Sequence, residues 1–160
     1  MVTGDAATGG PEPGDLQRQS DSYRADLRIG APRPAVYAAL TTLEGLAGWW
    51  SPVAGGAVTG GELRLSHQRP DTLTISVDEA SYPERVRWRV LGYELNPEWA
   101  GTEIAFDLED DGPAGTRLRF AHVGLVPALE CFEACRAGWH HFLGSLRSYV
   151  EQGEGSPLAL

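Results

Sequence analysis

Six stretches of the chain set apolar against polar residues with a period of two, and a longer stretch near its end repeats apolar residues at the helical period. A period of two sends alternate side chains to opposite faces, so each of the six predicts a strand with one buried and one wet face. The buried sets are Tyr23, Ala25, Leu27 and Ile29; Leu63 and Leu65; Leu73, Ile75 and Val77; Val86, Trp88 and Val90; Ile104, Phe106 and Leu108; and Leu118, Phe120 and His122. On the wet side, Arg85, Arg87 and Arg89 are followed by Glu103, Asp107 and Glu109, and those by Arg117 and Arg119. Opposite charges on neighbouring strands attract. An antiparallel meander in that order satisfies every row, and the turn clusters Ser81-Tyr82-Pro83-Glu84 and Asp110-Asp111-Gly112-Pro113-Ala114-Gly115 supply connections.

The helical stretch predicts one long helix from about Ala128 to Glu151. At about 100° per residue, Ala128, Phe132, Cys135, Trp139, Phe142, Leu143, Leu146 and Val150 all fall within about 60° of Trp139. That is one broad stripe, suited to lying on a sheet. After the first strand, Pro32 and Pro34 open a short helix through Val36, Tyr37 and Leu40, and Leu43 to Trp50 forms another. The fold class is α+β: a curved antiparallel sheet of about six to seven strands wrapped around a long C-terminal helix, with two short helices after the first strand. Such a grip commonly leaves a cavity between sheet and helix. Met1 to Ser22 is rich in Gly, Pro, Asp and Ser without periodicity and reads as a disordered tail. Tyr23 to Gln152 is the domain, and Gly153 to Leu160 reads as a flexible C-terminal tail.

Charge and composition exclude some partners. The net charge of −9 disfavours nucleic acid, whose phosphates an acidic chain repels. It disfavours an anionic membrane surface for the same reason. No apolar run reaches the ~20 residues of a membrane helix, so insertion is not expected. Cys131 and Cys135 are too few for a disulfide framework, and no signal peptide opens the chain, so the expected compartment is the reducing cytoplasm.

The segments Ala31-Pro32-Arg33-Pro34-Ala35-Val36-Tyr37-Ala38-Ala39-Leu40 and Leu43-Glu44-Gly45-Leu46-Ala47-Gly48-Trp49-Trp50 resemble the opening of START-like (SRPBCC) domains. Gly60 to Leu65, Gly115 to Leu125 and Gly138-Trp139 with Leu143 and Leu146 extend the likeness to about Tyr23–Gln152. The branch resembled is the one named after the activator of heat-shock-protein-90 ATPase. The resemblance implies a helix-grip fold. It also implies a diverse set of roles: carriers of lipids and hormones, polyketide cyclases and aromatases, and ring-hydroxylase subunits. The co-chaperone that names the branch carries an additional N-terminal domain; the extension before Tyr23 reads here as short and disorder-prone.

His122 stands in register with Leu118 and Phe120 and so faces the apolar side. It is either a core histidine hydrogen-bonded to backbone or helix, or a polar group in a pocket that orients a ligand or moves a proton. Cys131 and Cys135 lie one helical turn apart, with Cβ atoms about 6 Å from each other, too far to bridge. They read as small packing residues. No CxxC or HExxH spacing is present and His140-His141 points away from the stripe, so no metal and no other cofactor is expected. Of Trp49-Trp50, one plugs the core end and the other lines a cavity mouth; Trp99 caps a pocket or covers a hydrophobic edge. Arg136 reaches a cavity edge or pairs with an acid.

The leading expectation is a non-enzymatic binder of a small apolar or aromatic molecule. Trp88, Phe106 and Phe120 form the cavity floor, Cys135, Trp139 and Phe142 its roof, with His122 as its polar feature and Trp49 and Trp99 near its mouths. Trp139 is large enough to fill the space it would border. The alternatives are an aromatase- or cyclase-like enzyme with His122 as acid/base, and a protein-interaction module of the co-chaperone kind, whose protein partner the sequence leaves unknown.

Overall fold

The computed structural model describes residues 22–68 and 71–157. The stretch from Met1 to Asp21, read as a tail, lies outside the described residues, as do Leu158 to Leu160. Seven strands form one antiparallel sheet: β1 (Ser22–Ile29), β2 (Val53–Gly55), β3 (Glu62–Gln68), β4 (Asp71–Ser81), β5 (Arg85–Tyr93), β6 (Glu103–Asp110) and β7 (Thr116–Val123). Their spatial order is β1-β7-β6-β5-β4-β3-β2. The only connection that leaves the meander runs from β1 at one edge to β2 at the other. It carries α1 (Arg33–Thr41) and α2 (Leu43–Trp49). The chain closes with α3 (Phe132–Gln152).

Local chemistry explains these boundaries. Pro32 and Pro34 stand at the start of α1, where a missing N–H is harmless. Thr42 ends α1 in an extended conformation and caps α2, its Oγ1 accepting from the Gly45 amide at 3.0 Å. Gly153, left-handed at φ 83°, ends α3. That helix begins four residues later than the periodicity predicts. Leu129 N–H bonds Val126 C=O and Phe132 N–H bonds Leu129 C=O, so tight three-residue turns follow Pro127. The first helical bond is Cys135 N–H to Cys131 C=O. Ala128 is accordingly exposed, outside the stripe. Strand β2 is too short to show a period of two. It ends at Gly55, whose φ of 116° and close approach to the Glu62 carbonyl admit no Cβ.

The sheet's two faces divide as its alternation requires. Leu63, Leu73, Ile75, Val86, Trp88, Ile104, Phe106, Leu118, Phe120 and His122 are buried on the concave side, under α3. On the convex side Arg85 pairs with Asp107 and Arg89 with Glu103 across β5–β6, and Asp107 with Arg119 and Glu109 with Arg117 across β6–β7. Arg87 Nη2 reaches Asp107 at 2.9 Å, and Arg117 holds Asp26 with two bonds of 3.0 Å. Exposed pairs of this kind contribute at most about 1 kcal/mol each, so they set register more than stability. The concave face supplies the stability.

Residues past α3 turn back along it. Ser148 Oγ donates to Glu154 C=O at 2.7 Å, Ser156 N–H to Ser145 Oγ at 2.6 Å, and His141 Nε2 meets Ser156 C=O at 3.0 Å. These are the contacts of Gly153 to Pro157, the described part of the expected flexible tail.

Candidate functional site

The N-terminal half of α3 turns Ala134, Cys135, Gly138, Trp139 and Phe142 to one side, the spacing of a single helical face. Facing them are Tyr93, at the end of β5, and the loop that follows, with Leu95, Asn96 and Trp99, and behind them the end of α2, with Trp50. Between these walls is a cavity of about 190 Å³. Gly138 carries no side chain into it, and a Cβ placed there would meet no atom within 4 Å. Leu95 and Ala134 are exposed at the lip, whereas Trp50, Tyr93, Trp99, Cys135 and Trp139 are buried.

The loop wall is tied at several points. Its 3-10 turn, Pro97–Trp99, carries Trp99, whose Nε1–H donates to Cys135 Sγ at 3.2 Å. The Glu98 carboxylate accepts from the amides of Glu130 and Cys131, both at 3.4 Å, just before α3. The Trp99 ring stacks on Trp139 at 6.0 Å and takes the edge of Tyr93 at 5.0 Å. All five tryptophans of the chain form one cluster. Trp49 stacks on Trp50 and Trp50 on Trp88, at 5.4 and 5.5 Å, and Trp50 also touches Trp139 at 5.4 Å.

His122 lies behind this wall. Trp139 Nε1 can only donate, so His122 Nδ1 accepts from it, at 2.9 Å. The ring proton is therefore on Nε2, which donates to Thr102 Oγ1 at 2.8 Å. Thr102 in turn donates to the Trp99 carbonyl at 2.6 Å. Every member of the chain is satisfied with a neutral imidazole, and burial pushes its pKa down to about 3. A second ring proton would point at the Trp139 N–H.

Of the residues expected at the site, the structure brings Trp99, Cys135, Trp139 and Phe142 to the cavity. It does not bring Trp88, Phe106, Phe120, His122 or Trp49. The expected floor exists but is covered. The Trp139 ring lies 4.6 Å from Phe120 and 5.9 Å from His122, and Trp50 lies over Trp88. Two indoles fill the space between sheet and helix and displace the cavity outward to the loop. Trp49 is the plug: its Nε1–H bonds Ala39 C=O at 2.8 Å, leaving Trp50 as the lining member of the pair. Arg136 pairs with Glu133 at 2.8 Å and does not reach the cavity. His140 and His141 are exposed. The wall residues Tyr93, Leu95, Asn96 and Ala134 carried no period that would have marked them. Gly138 did carry a signal, a gap in an otherwise bulky helical face.

The cavity offers little acid–base chemistry. Burial pushes the Cys135 thiol up to about 12, helped by a hydrogen bond with Cys131. At pH 8, iodoacetamide should therefore label the partly exposed Cys131 and leave Cys135 unmodified, as peptide mass mapping would read. Equal labelling would mean that the loop opens readily. Among the described residues no group of three or more His, Cys, Asp or Glu is placed to hold a metal ion. No helix among them is long and apolar enough to cross a membrane.

Comparison with known proteins places the fold. A family described as Activator of Hsp90 ATPase homolog 1-like protein matches residues 30–151. No curated protein matches the chain. Among solved structures, the Aha1 dimer from Colwellia psychrerythraea superposes with a TM-score of 0.74 at 29% identity, over 84% of this chain and 98% of that one. DynU16, from the dynemicin biosynthetic locus, gives 0.67 at 25% identity over 84% of this chain, which spans only 49% of DynU16. An HSP90 activator from Plasmodium falciparum gives 0.67 at 18% identity, covering 83% and 96%, a likeness of fold alone.

Proposed function

The chain belongs to the Activator of Hsp90 ATPase homolog 1-like family, whose helix-grip fold it shares, and from that premise we propose that it binds a small, flat, apolar molecule without transforming it. The family's fold hosts more than one role, so the site has to carry the reading. The observation that carries it is the aromatic cavity of about 190 Å³ beside α3. A dry cavity of about 150 Å³ accepts benzene, whereas drug-sized ligands occupy roughly 300–1,000 Å³. The ligand class is therefore one or two fused rings. Transfer from water contributes about 25 cal/mol per Å² of apolar surface, enough for binding with few hydrogen bonds.

Two observations favour binding over the alternatives. The cyclase-like reading needs a group that can exchange a proton with the ligand. The lining holds no carboxylate and no histidine, and His122 has both nitrogens engaged behind Trp139. The concave pocket walled by Trp50, Tyr93, Trp99 and Trp139 is of the size and shape that one small ligand fills, whereas a protein partner needs a broader contact surface.

Gly138→Leu tests the proposal. The new side chain enters the cavity from a helical position, where leaving glycine adds up to about 1 kcal/mol of stability. Wild-type tryptophan fluorescence should respond saturably to naphthalene and not to pyrene. The variant should fold at least as stably and give no response. A variant that binds naphthalene as the wild type does would place binding elsewhere.

A further inference from the structure

We propose that the outer edge of β1 pairs with β1 of a second copy, as an antiparallel two-fold seam centred on Ala25. This goes beyond the ligand-binding reading and is independent of it.

The direction of the backbone groups follows from the ladder. Leu108 N–H bonds Glu84 C=O, so the even residues of β6 face β5 and the odd ones face β7. Carried through the registers, this turns Tyr23, Ala25, Leu27 and Ile29 toward β7 and the backbone of Arg24, Asp26 and Arg28 outward. Side chains from α3 agree with that phase. Arg147 donates to Arg28 C=O at 3.4 Å, and Glu151 accepts from the Gly30 amide at 2.6 Å. The Arg28–Gly30 end of the edge is thus capped. Among the described residues nothing caps the backbone of Arg24 and Asp26.

Charge then selects the register. Only pairings that oppose outward-facing residues close hydrogen bonds; with the Arg28 carbonyl and the Gly30 amide capped, the axes that give both Arg24 and Asp26 a described partner lie at Arg24, Ala25 and Asp26. An axis at Arg24 sets Arg24 against its own copy. One at Asp26 sets Asp26 against Asp26 and Arg24 against Arg28. An axis at Ala25 sets Arg24 against Asp26 twice, and closes four backbone hydrogen bonds between those residues. Arg24 has no other ion-pair partner among the described residues, whereas Asp26 already holds Arg117 of its own copy, so the seam adds Arg24 to an existing pair. On the concave side the same register brings Tyr23 against Leu27 twice, and both are only partly buried in one copy. An edge strand normally carries charge to repel pairing; here the charges are self-complementary.

An interface this small gives a weak dimer, so sedimentation equilibrium of the full chain should span about 10 µM to about 1 mM. The wild type should self-associate and Arg24→Lys should do so with it. Arg24→Asp, which opposes Asp26, should lower the association constant at least tenfold with unchanged thermal stability. In a Cys131→Ser background, Ala25→Cys should form an intermolecular disulfide on mild oxidation at least tenfold faster than Leu27→Cys, because only residue 25 faces itself. A wild type that is monomeric throughout, an Arg24→Asp protein that associates normally, or equal cross-linking at 25 and 27 would each overturn the proposal.

Discussion

Between pH 7.5 and pH 5 the wild-type chain should lose about 2 kcal/mol of stability that a His122→Gln variant does not lose. In the folded chain burial pushes the His122 pKa down to about 3. The unfolded imidazole takes its proton near its ordinary value of about 6.5. Between those values the unfolded state binds more protons. The contribution of neutral His122 is therefore complete above pH 6.5 and declines as the pH falls toward 3. Each pH unit well inside the window removes about 1.4 kcal/mol. Stopping at pH 5 avoids most carboxylate titration, and subtracting the variant removes what the other histidines contribute. Urea unfolding midpoints at the two pH values, at constant m-value, read the difference. Parallel pH dependence in the two proteins would mean that His122 is protonated in the fold, and the Trp139–His122–Thr102 chain as drawn would be wrong. His122→Ala should in addition destabilise at neutral pH by about 3 kcal/mol, since it leaves the Trp139 N–H without an acceptor in a buried site.

Trp50→Ala should cost about 3–5 kcal/mol and enlarge the ligand range. Trp50 is 1% exposed and stacks between Trp49 and Trp88 while touching Trp139. Its removal takes away one cavity wall and uncovers Trp88. The Trp88 Nε1–H is the one buried side-chain nitrogen or oxygen without a hydrogen-bond partner among the described residues. The widened cavity should admit pyrene, which the wild type excludes, and should favour ring systems carrying an acceptor for that N–H. Fluorescence titration with pyrene checks the first expectation and comparison of naphthalene with quinoline the second. Loss of stability without any new binding would show that the neighbouring rings collapse into the space.

The sheet was legible because its information is local and binary. Leu118, Phe120 and His122 alternate with Arg117 and Arg119, and one buried face fixes the register of the whole strand. The charge rows added strand order, since Arg85 with Asp107 and Asp107 with Arg119 are satisfied in one arrangement only. The cavity was less legible. Periodicity says that Trp88, Phe120, His122 and Trp139 face one another, but not which of them touch with nothing between. That depends on how two indoles tile the space, a three-dimensional packing question. Trp49 and Trp50 show the same limit. Adjacent residues cannot share a face, yet the plug and the wall could be exchanged until the Ala39 carbonyl was seen to hold Trp49. The stretch from the end of β5 at Tyr93 to Trp99 has no period at all, and four of the ten lining residues come from it.

The placement of β1 also bears on how the chain assembles during synthesis. Asp26 and the Arg117 that holds it are 91 residues apart in sequence. The meander from β3 to β7 joins strands that are consecutive in sequence, through turns and the loop after β5, and can pair as each strand leaves the ribosome. Of the strands, β1 leaves first and waits until the last, β7, has emerged before its partner exists. Closing so long a loop is entropically slow, so docking of β1 should trail the other strands. For that interval a nascent chain carries a solitary strand with both edges open. The strand at greatest risk of mispairing in a crowded polysome is thus the first of the seven to be made.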